Sequence, residues 1–267
     1  MQKNNADRPG SSPLIVIDVG NTSTALGMWD NMRVMGAVQI PTLDEERFTG
    51  VFQDLSAGFP GGVPAAVAIA SVVPDVLRTI RSFLRRIEGL KVAVIGQDTD
   101  LPIPVAVLAP ERVGVDRVCA AAAAYERIGQ VCTVIDFGTA VTVDLVDDSG
   151  TFLGGAILPG AGLQARALAD GTAALPQVCP SPPEHAVGRD TEEAIRSGIH
   201  YGLAGAVRGI VEQYATQLNQ WPQVVATGGE LAQLLELCDF IDTPVSDLTL
   251  LGVGLAYVKH LRKLQGA

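Results

Sequence analysis

Two stretches decide the fold reading: Ile17-Asp18-Val19-Gly20-Asn21-Thr22-Ser23-Thr24 and Ile135-Asp136-Phe137-Gly138-Thr139-Ala140-Val141-Thr142. Each follows an apolar run, Leu14 to Ile17 in one case and Val131 to Ile135 in the other. Each reads as a buried strand, then Asp, an apolar residue, Gly, a polar turn and a returning strand with Thr. The two aspartates are 118 residues apart, close to half of a 267-residue chain. That spacing points to an α/β protein of two similar halves, each opening with a strand–turn–strand.

The chemistry of such a turn suits phosphate. Glycine lets backbone approach a ligand, and successive N–H groups in a tight turn form an anion-binding nest. The hydroxyls of Thr22, Ser23, Thr24, Thr139 and Thr142 add neutral donors, and Asp18 and Asp136 are able to hold a cation directly or through water. A pair of ordinary hairpins with Asp-x-Gly turns would look the same one at a time. Their recurrence at half-chain spacing favours two phosphate-type loops that grip a polyphosphate without a lysine.

Outward from these stretches, Thr24 to Trp29 and Thr139 to Val146 read as returning strands. Val63 to Ser71, Lys91 to Ile95, Thr151 to Leu158 and Val224 to Ala226 read as further strands. Asp147-Asp148-Ser149-Gly150 is a hairpin turn. Asp75 to Ile87 has helical spacing, with Val76, Ile80, Phe83, Leu84 and Ile87 on one side. Val115 to Ile128 is a helix whose Ala120 to Ala124 run permits close packing on a sheet. Asp190 or Thr191 caps a long helix, with Glu192 and Glu193 in its first turn, that runs to about Asn219. Leu231 to Cys238 is a short helix, and Leu250 to Leu264 a final one with Lys259, Arg262 and Lys263 near its negative end. The residues through Ser12 are polar and read as a disordered tail rather than a signal peptide. The expected organisation is a tail over 1–12 and domains over 13–118 and 119–267.

Composition excludes several classes. Of 267 residues 48% are hydrophobic, too many for a disordered chain. The net charge of −10 argues against nucleic acid or an anionic membrane as the main partner. The only lysines are Lys3, Lys91, Lys259 and Lys263, and no G-x-x-x-x-G-K-[ST] loop or V-A-I-K context occurs, so P-loop and protein-kinase chemistries are out. Cys119, Cys132, Cys179 and Cys238 include no C-x-x-C pair, and His185, His200 and His260 are scattered, which argues against zinc. The cysteines read as reduced core residues of a cytoplasmic protein. No run of 18 apolar residues offers a membrane span. His185 reads as loop surface, and His200 and Tyr201 as packing or dimer-face residues.

Gly114-Val115-Asp116-Arg117 places a carboxylate and a cation side by side. The carboxylate suits acceptance of a hydroxyl proton, and the arginine suits fork pairing with a substrate carboxylate. Alone, this dipeptide reads as a cap on the following helix. Between two phosphate-type loops it reads as a site for phosphoryl transfer, which needs positioning and a group that orients the hydroxyl.

Taken together these motifs resemble the type III pantothenate kinases, in the superfamily of acetate and sugar kinases, heat-shock proteins and actin. The resemblance rests on D-x-G-N-T at Asp18 to Thr22, G-x-D-R at Gly114 to Arg117 and D-x-G-T-A-x-T-x-D at Asp136 to Asp144. It also rests on Gly154 to Gly160, Thr172-Ala173-Ala174-Leu175-Pro176, Thr191 with Ala194-Ile195-x-Ser197-Gly198, and Thr227-Gly228-Gly229. It implies two ribonuclease-H-like (actin-like ATPase) domains with a nucleotide cleft between them. It implies ATP-dependent phosphorylation of the terminal hydroxyl of pantothenate, the first step of coenzyme A biosynthesis. A homodimer whose partner chain completes the substrate site, a divalent cation such as Mg2+ and a monovalent K+ or NH4+ are implied as well.

By the same resemblance, Asp18, Val19, Gly20, Asn21, Thr22, Ser23, Thr24 and Ala25 hold ATP phosphates, with Asp18 holding Mg2+ through water. Thr139, Gly228 and Gly229 touch the nucleotide. Gly114, Val115, Asp116, Arg117 and Thr191 hold pantothenate, with Asp116 as proton acceptor, and Asp136 holds the monovalent cation. Asp144 reads equally as support for a metal or as strand-end solvation. The chain departs from the family pattern in having no aromatic residue in Val105 to Ala109 and in carrying Val118 after the arginine. Two rival readings are another superfamily kinase or phosphatase and a non-enzymatic transcription accessory factor. The G-x-D-R motif and the short chain disfavour the first, and the presence of Asp18, Asp116 and Asp136 disfavours the second.

Overall fold

The computed structural model describes residues 14–266. The tail expected over 1–12 lies outside the described residues. Contacts divide the chain into two units: one runs through Arg127 and resumes at Asp247, and the other is Ile128–Ser246.

The first unit holds β1 (Leu14–Val19), β2 (Ser23–Asp30), β3 (Arg33–Pro41), α1 (Glu45–Ala57), β4 (Ala66–Ser71), α2 (Pro74–Leu84), β5 (Lys91–Val94) and α3 (Val115–Ile128). Its sheet order is β3-β2-β1-β4-β5. β1 runs antiparallel to β2 and parallel to β4. Alternation along β1 sorts the core. Ile15, Ile17 and Val19 pack with Phe48, Phe52 and Leu55 of α1 and with Leu77, Ile80 and Leu84 of α2. Leu14 and Val16 pack on the opposite face with Trp29, Ala68 and Cys119. With a period of two, Asp18 joins that second face.

The last helix, α7 (Leu248–Leu264), also lies on that second face, through Leu250, Val253 and Ala256. Gly252 lets it approach closely, because a Cβ there would overlap the Cys119 carbonyl. Lys259 ties α7 to Glu126 of α3 at 3.2 Å. Two features therefore differ from the domain limits expected from sequence. A boundary at 118 would cut α3, a continuous helix in which Val118 to Ala124 are all buried. The final helix belongs with the first unit, since its apolar stripe is matched by the first sheet.

The second unit holds β6 (Cys132–Phe137), β7 (Ala140–Val146), β8 (Phe152–Pro159), α4 (Ala161–Gly171), α5 (Thr191–Leu218), β9 (Gln223–Thr227), α6 (Leu231–Leu234) and β10 (Thr243–Pro244). Its order is β10-β9-β6-β7-β8, with β6 antiparallel to β7 and parallel to β9. Strand for strand this is the arrangement of the first unit, so the internal repeat is structural. Ile135, Phe137, Val141 and Val143 face α4 and α5 through Ala165, Ile199, Leu203 and Val207. α5 begins and ends where its caps predict. The Asp190 carboxylate accepts from Glu193 N at 2.8 Å, and Asn219 closes the helix at φ 54°.

β3, α1, α4 and the two-residue β10 are elements that the sequence reading does not contain. Among the cysteines, Cys119, Cys132 and Cys238 are buried, but Cys179 is exposed, which corrects its assignment to the core. Asp144 is 1% exposed, in mid-strand between Val134 and Gly155, so strand-end solvation does not account for it. Among the described residues no helix is long and apolar enough to cross a membrane.

Candidate active site

In the first unit the last β1–β2 pair is Val19 with Thr24, which leaves Gly20 to Ser23 as a four-residue loop. Gly20 N donates to Ser23 O at 3.0 Å, and Thr42 N donates to Thr22 O at 3.1 Å. Asn21 and Thr22 are exposed, Asp18 and Ser23 are half-buried, and Val19 is buried. Thr24 differs from the other loop hydroxyls: it is 1% exposed and its Oγ1 lies 3.1 Å from Thr42 Oγ1. Ala25, beyond it, pairs with Asp18 across the ladder.

The G-x-D-R motif opens α3. Gly114 is required by its neighbour, since a Cβ there would overlap Oδ1 of Asp116. That same oxygen accepts from Arg117 N at 2.8 Å. Burial pushes the Asp116 carboxyl above the ordinary carboxylate value, against the opposing pull of the Arg117 amide and guanidinium. One turn on, Cys119 is buried, and its thiol is pushed well up by burial and then by the charges of Asp18 and Asp116. Two carboxylates 98 positions apart thus converge on one buried thiol, at the face of the first sheet that Asp18 shares with α3. Val118 is fully buried and Leu108 fully exposed.

In the second unit the last β6–β7 pair is Phe137 with Val141, which leaves Gly138, Thr139 and Ala140 as a three-residue loop. Thr139 is exposed. Asp136 pairs with Thr142 on one side and Thr227 on the other. Gly228 has φ +105°, and a Cβ there would sit 2.5 Å from Oδ1 of Asp136 and overlap Phe137 O. Glu230 N donates to Phe137 O at 3.0 Å, and its carboxylate accepts from Ala161 N at 3.2 Å. Asp136, Gly138, Thr139 and Gly228 are therefore brought together, with Gly229 next in the same turn. Thr191 stands apart from them in sequence, exposed at the first position of α5.

The donor chemistry fits the ions that the resemblance implies. Mg2+ keeps several waters and takes one or two carboxylates beside substrate phosphates, which a site offering Asp18 satisfies. Asp136, with backbone closely packed around it, offers the oxygen donors a hard monovalent cation takes. Among the described residues no group of three or more His, Cys, Asp or Glu forms a dedicated metal cage.

Two residues that hydrogen-bond to or beside these loops, Thr42 and Glu230, are absent from the sequence reading. Glu230 directly follows Thr227-Gly228-Gly229, and Thr42 follows the Pro41 that ends β3. Neither carries a signal by itself; each is found through the loop it holds.

A family model of type III pantothenate kinases matches residues 14–213. A type III pantothenate kinase of Desulfatibacillum aliphaticivorans is 36% identical over 91% of this chain and 97% of its own length. Another, from Anaeromyxobacter sp. (strain K), is 38% identical over 92% and 99%. In fold the chain is similar to the activator of 2-hydroxyisocaproyl-CoA dehydratase from Clostridium difficile, solved with bound ADPNP. There the TM-score is 0.55 at 14% identity, over 95% of this chain and 97% of that one. The fold is that of the actin-like ATPases, with one ribonuclease-H-like sheet in each unit. With both loops, the G-x-D-R turn and full-length relatives in agreement, the chain belongs to the type III pantothenate kinase family.

Proposed function

We propose that this chain transfers the γ-phosphoryl group of ATP to the terminal hydroxyl of pantothenate, giving 4'-phosphopantothenate and ADP as the first step of coenzyme A biosynthesis. The observation that carries the mechanism is Asp116, a half-buried carboxylate of raised pKa whose Oδ1 accepts from Arg117 N. The substrate hydroxyl oxygen bonds to the γ-phosphorus as the bond from that phosphorus to its β–γ bridging oxygen breaks. The hydroxyl proton passes to Asp116, and ADP leaves. A carboxylate of raised pKa is a stronger base at neutral pH than an ordinary one. Arg117 pairs with the pantothenate carboxylate, and Gly114, Val115 and Thr191 complete its contacts. Asp18 to Ala25 hold the ATP phosphates, while Thr139, Gly228 and Gly229 contact the nucleotide. Bound at Asp18, Mg2+ would neutralise phosphate charge, and K+ or NH4+ at Asp136 would do so from the second loop.

The same reading makes the enzyme a homodimer. The supporting observation is the outer face of α5, where Ala194, Gly198, Tyr201, Gly202 and Gly205 recur at helical spacing and are all exposed. It places the enzyme in the cytoplasm, in keeping with four free cysteines, with no nucleic acid or membrane partner.

The test is ADP release with ATP, Mg2+ and K+, with and without pantothenate. Pantothenate-dependent release that Asp116→Asn loses supports substrate and base together. Release that pantothenate does not raise is transfer to water and leaves the physiological acceptor open, and no release at all favours a non-enzymatic role. Replacing K+ by Na+ is expected to depress turnover; equal rates in both salts would remove Asp136 as the cation ligand.

A further inference from the structure

The first loop is held by a residue to which no role has been given. Thr42 directly follows β3, and its backbone N–H closes on Thr22 O at 3.1 Å. Its Oγ1 donates to Gly20 O at 2.7 Å and lies 3.1 Å from Thr24 Oγ1. A hydroxyl has one proton to give. Since Thr42 gives its own to Gly20, Thr24 is the donor in the second bond. The result is a directed relay, Thr24 O–H to Thr42 Oγ1, then Thr42 O–H to the Gly20 carbonyl. Both residues are largely out of solvent, Thr24 at 1% and Thr42 at 9% exposure, so losing a partner leaves a buried polar group unpaired. Thr42 borders a cavity of about 200 Å³ lined by Leu43, Phe48, Val76, Ile80 and Phe83 among others.

We infer that Thr42 is the positioning residue of the phosphate loop. It sets the orientation of the Gly20–Asn21 peptide and the reach of the Asn21 and Thr22 amides, without touching ATP itself. Thr24 acts with it as an anchor on the inner side of the loop. The inference rests on the reading of Gly20 to Ser23 as the ATP-phosphate loop.

Thr42→Val keeps the shape and removes the hydroxyl, leaving the Thr24 donor and the Gly20 acceptor unpaired. Thr42→Ser keeps the relay and drops only a methyl. Thr42→Val is expected to raise KM for ATP about tenfold, the scale of a buried hydrogen bond left unmade, with KM for pantothenate within about twofold. Thr42→Ser is expected to restore KM for ATP to within about threefold of wild type. Amide hydrogen exchange on the ligand-free enzyme is expected to quicken at Gly20 to Thr24 in Thr42→Val only. Unchanged exchange together with unchanged KM for ATP would overturn the inference, as would equal rises in both KM values. If exchange quickens as expected but neither Thr42→Val nor Thr22→Ala alters ATP affinity, Thr42 does position the loop and the phosphate reading is what fails.

Discussion

The two hairpin loops solve one problem by different means. Both sit at the C-terminal end of an apolar strand after Asp-x-Gly, and both are closed by the residue that follows a strand-ending proline. Ser23 pairs with Pro41 and Ala140 with Pro159. Thr42 N then closes on Thr22 O at 3.1 Å, and Gly160 N on Thr139 O at 3.0 Å. The first loop has four residues and the second three. In the longer loop the equivalent position has room for a side chain, and Thr42 uses it to bind the Gly20 carbonyl. In the shorter loop a Cβ at Gly160 would run into the carbonyl of Gly138, the counterpart of Gly20. One loop is therefore held by side-chain hydrogen bonds and the other by direct backbone contact. The same division extends to their aspartates. Asp18 and Asp116 both act on the buried Cys119 thiol, whereas Asp136 is packed against the backbone of Gly228.

Mutations test the contrast, and the expected effects differ in size. The largest effect is expected at the acid–base group of the first unit. Asp116→Asn should lower kcat by about 10²–10⁴-fold, the usual worth of a positioned base, with ATP binding retained. Because burial raises its pKa in the folded state, ionised Asp116 opposes folding at pH 7, and that penalty fades as pH falls through the raised value. The neutral amide should thus melt at or above the wild-type temperature at pH 7. A variant that is both active and less stable would contradict both roles given to the carboxylate.

Next in size is Gly160→Ala in the second unit. Overpacking against the Gly138 and Thr139 carbonyls should cost about 1–3 kcal/mol, read as a lower denaturation midpoint. Wild-type stability would show that the second loop gives way as easily as the first. A third measurement is the acid limb of kcat/KM. Protonated Asp116 accepts no proton, so activity should decline as pH falls through a value above the ordinary carboxylate pKa near 3.8. The limb should be absent from the residual activity of Asp116→Asn. The smallest effect belongs to the outer rim of the first loop, where Gln39 Nε2 donates to Ser23 Oγ at 2.6 Å in an exposed position. Gln39→Ala should shift stability by no more than about 0.5 kcal/mol. A change as large as that of Thr42→Val would mean that the rim and not the buried relay holds the loop.

Much of the site was legible because its signals are local. Asp18 and Asp136 end strands that are apolar enough to read without context, and Gly114 and Asp116 sit at the fixed offset a helix start demands. The α5 caps fall at Asp190 and Asn219 as their residue types require. α1 went unread although its signals are local: Asp44 accepts from Arg47 N at 2.9 Å as a cap, and Phe48, Phe52 and Leu55 recur at helical spacing. β3 carried a weaker signal, since it is an edge strand with one buried residue, Ile40. Such a strand shows little alternation because both of its faces meet solvent.

The α/β class, the doubling of the chain, the two Asp-x-Gly turns and the carboxylate–arginine pair are all encoded locally. These follow from strand and helix periodicity and from turn chemistry, which act over a few residues. Tertiary packing alone brings α7 back onto the first sheet and lets Asp18 and Asp116 act on Cys119. It also decided that Thr24 faces inward, that Thr42 holds one loop and that Gly160 yields to the other. Each of these is a contact between residues distant in the chain. Such contacts are chosen by which apolar faces fit and which buried polar groups find partners, and no local pattern encodes that choice.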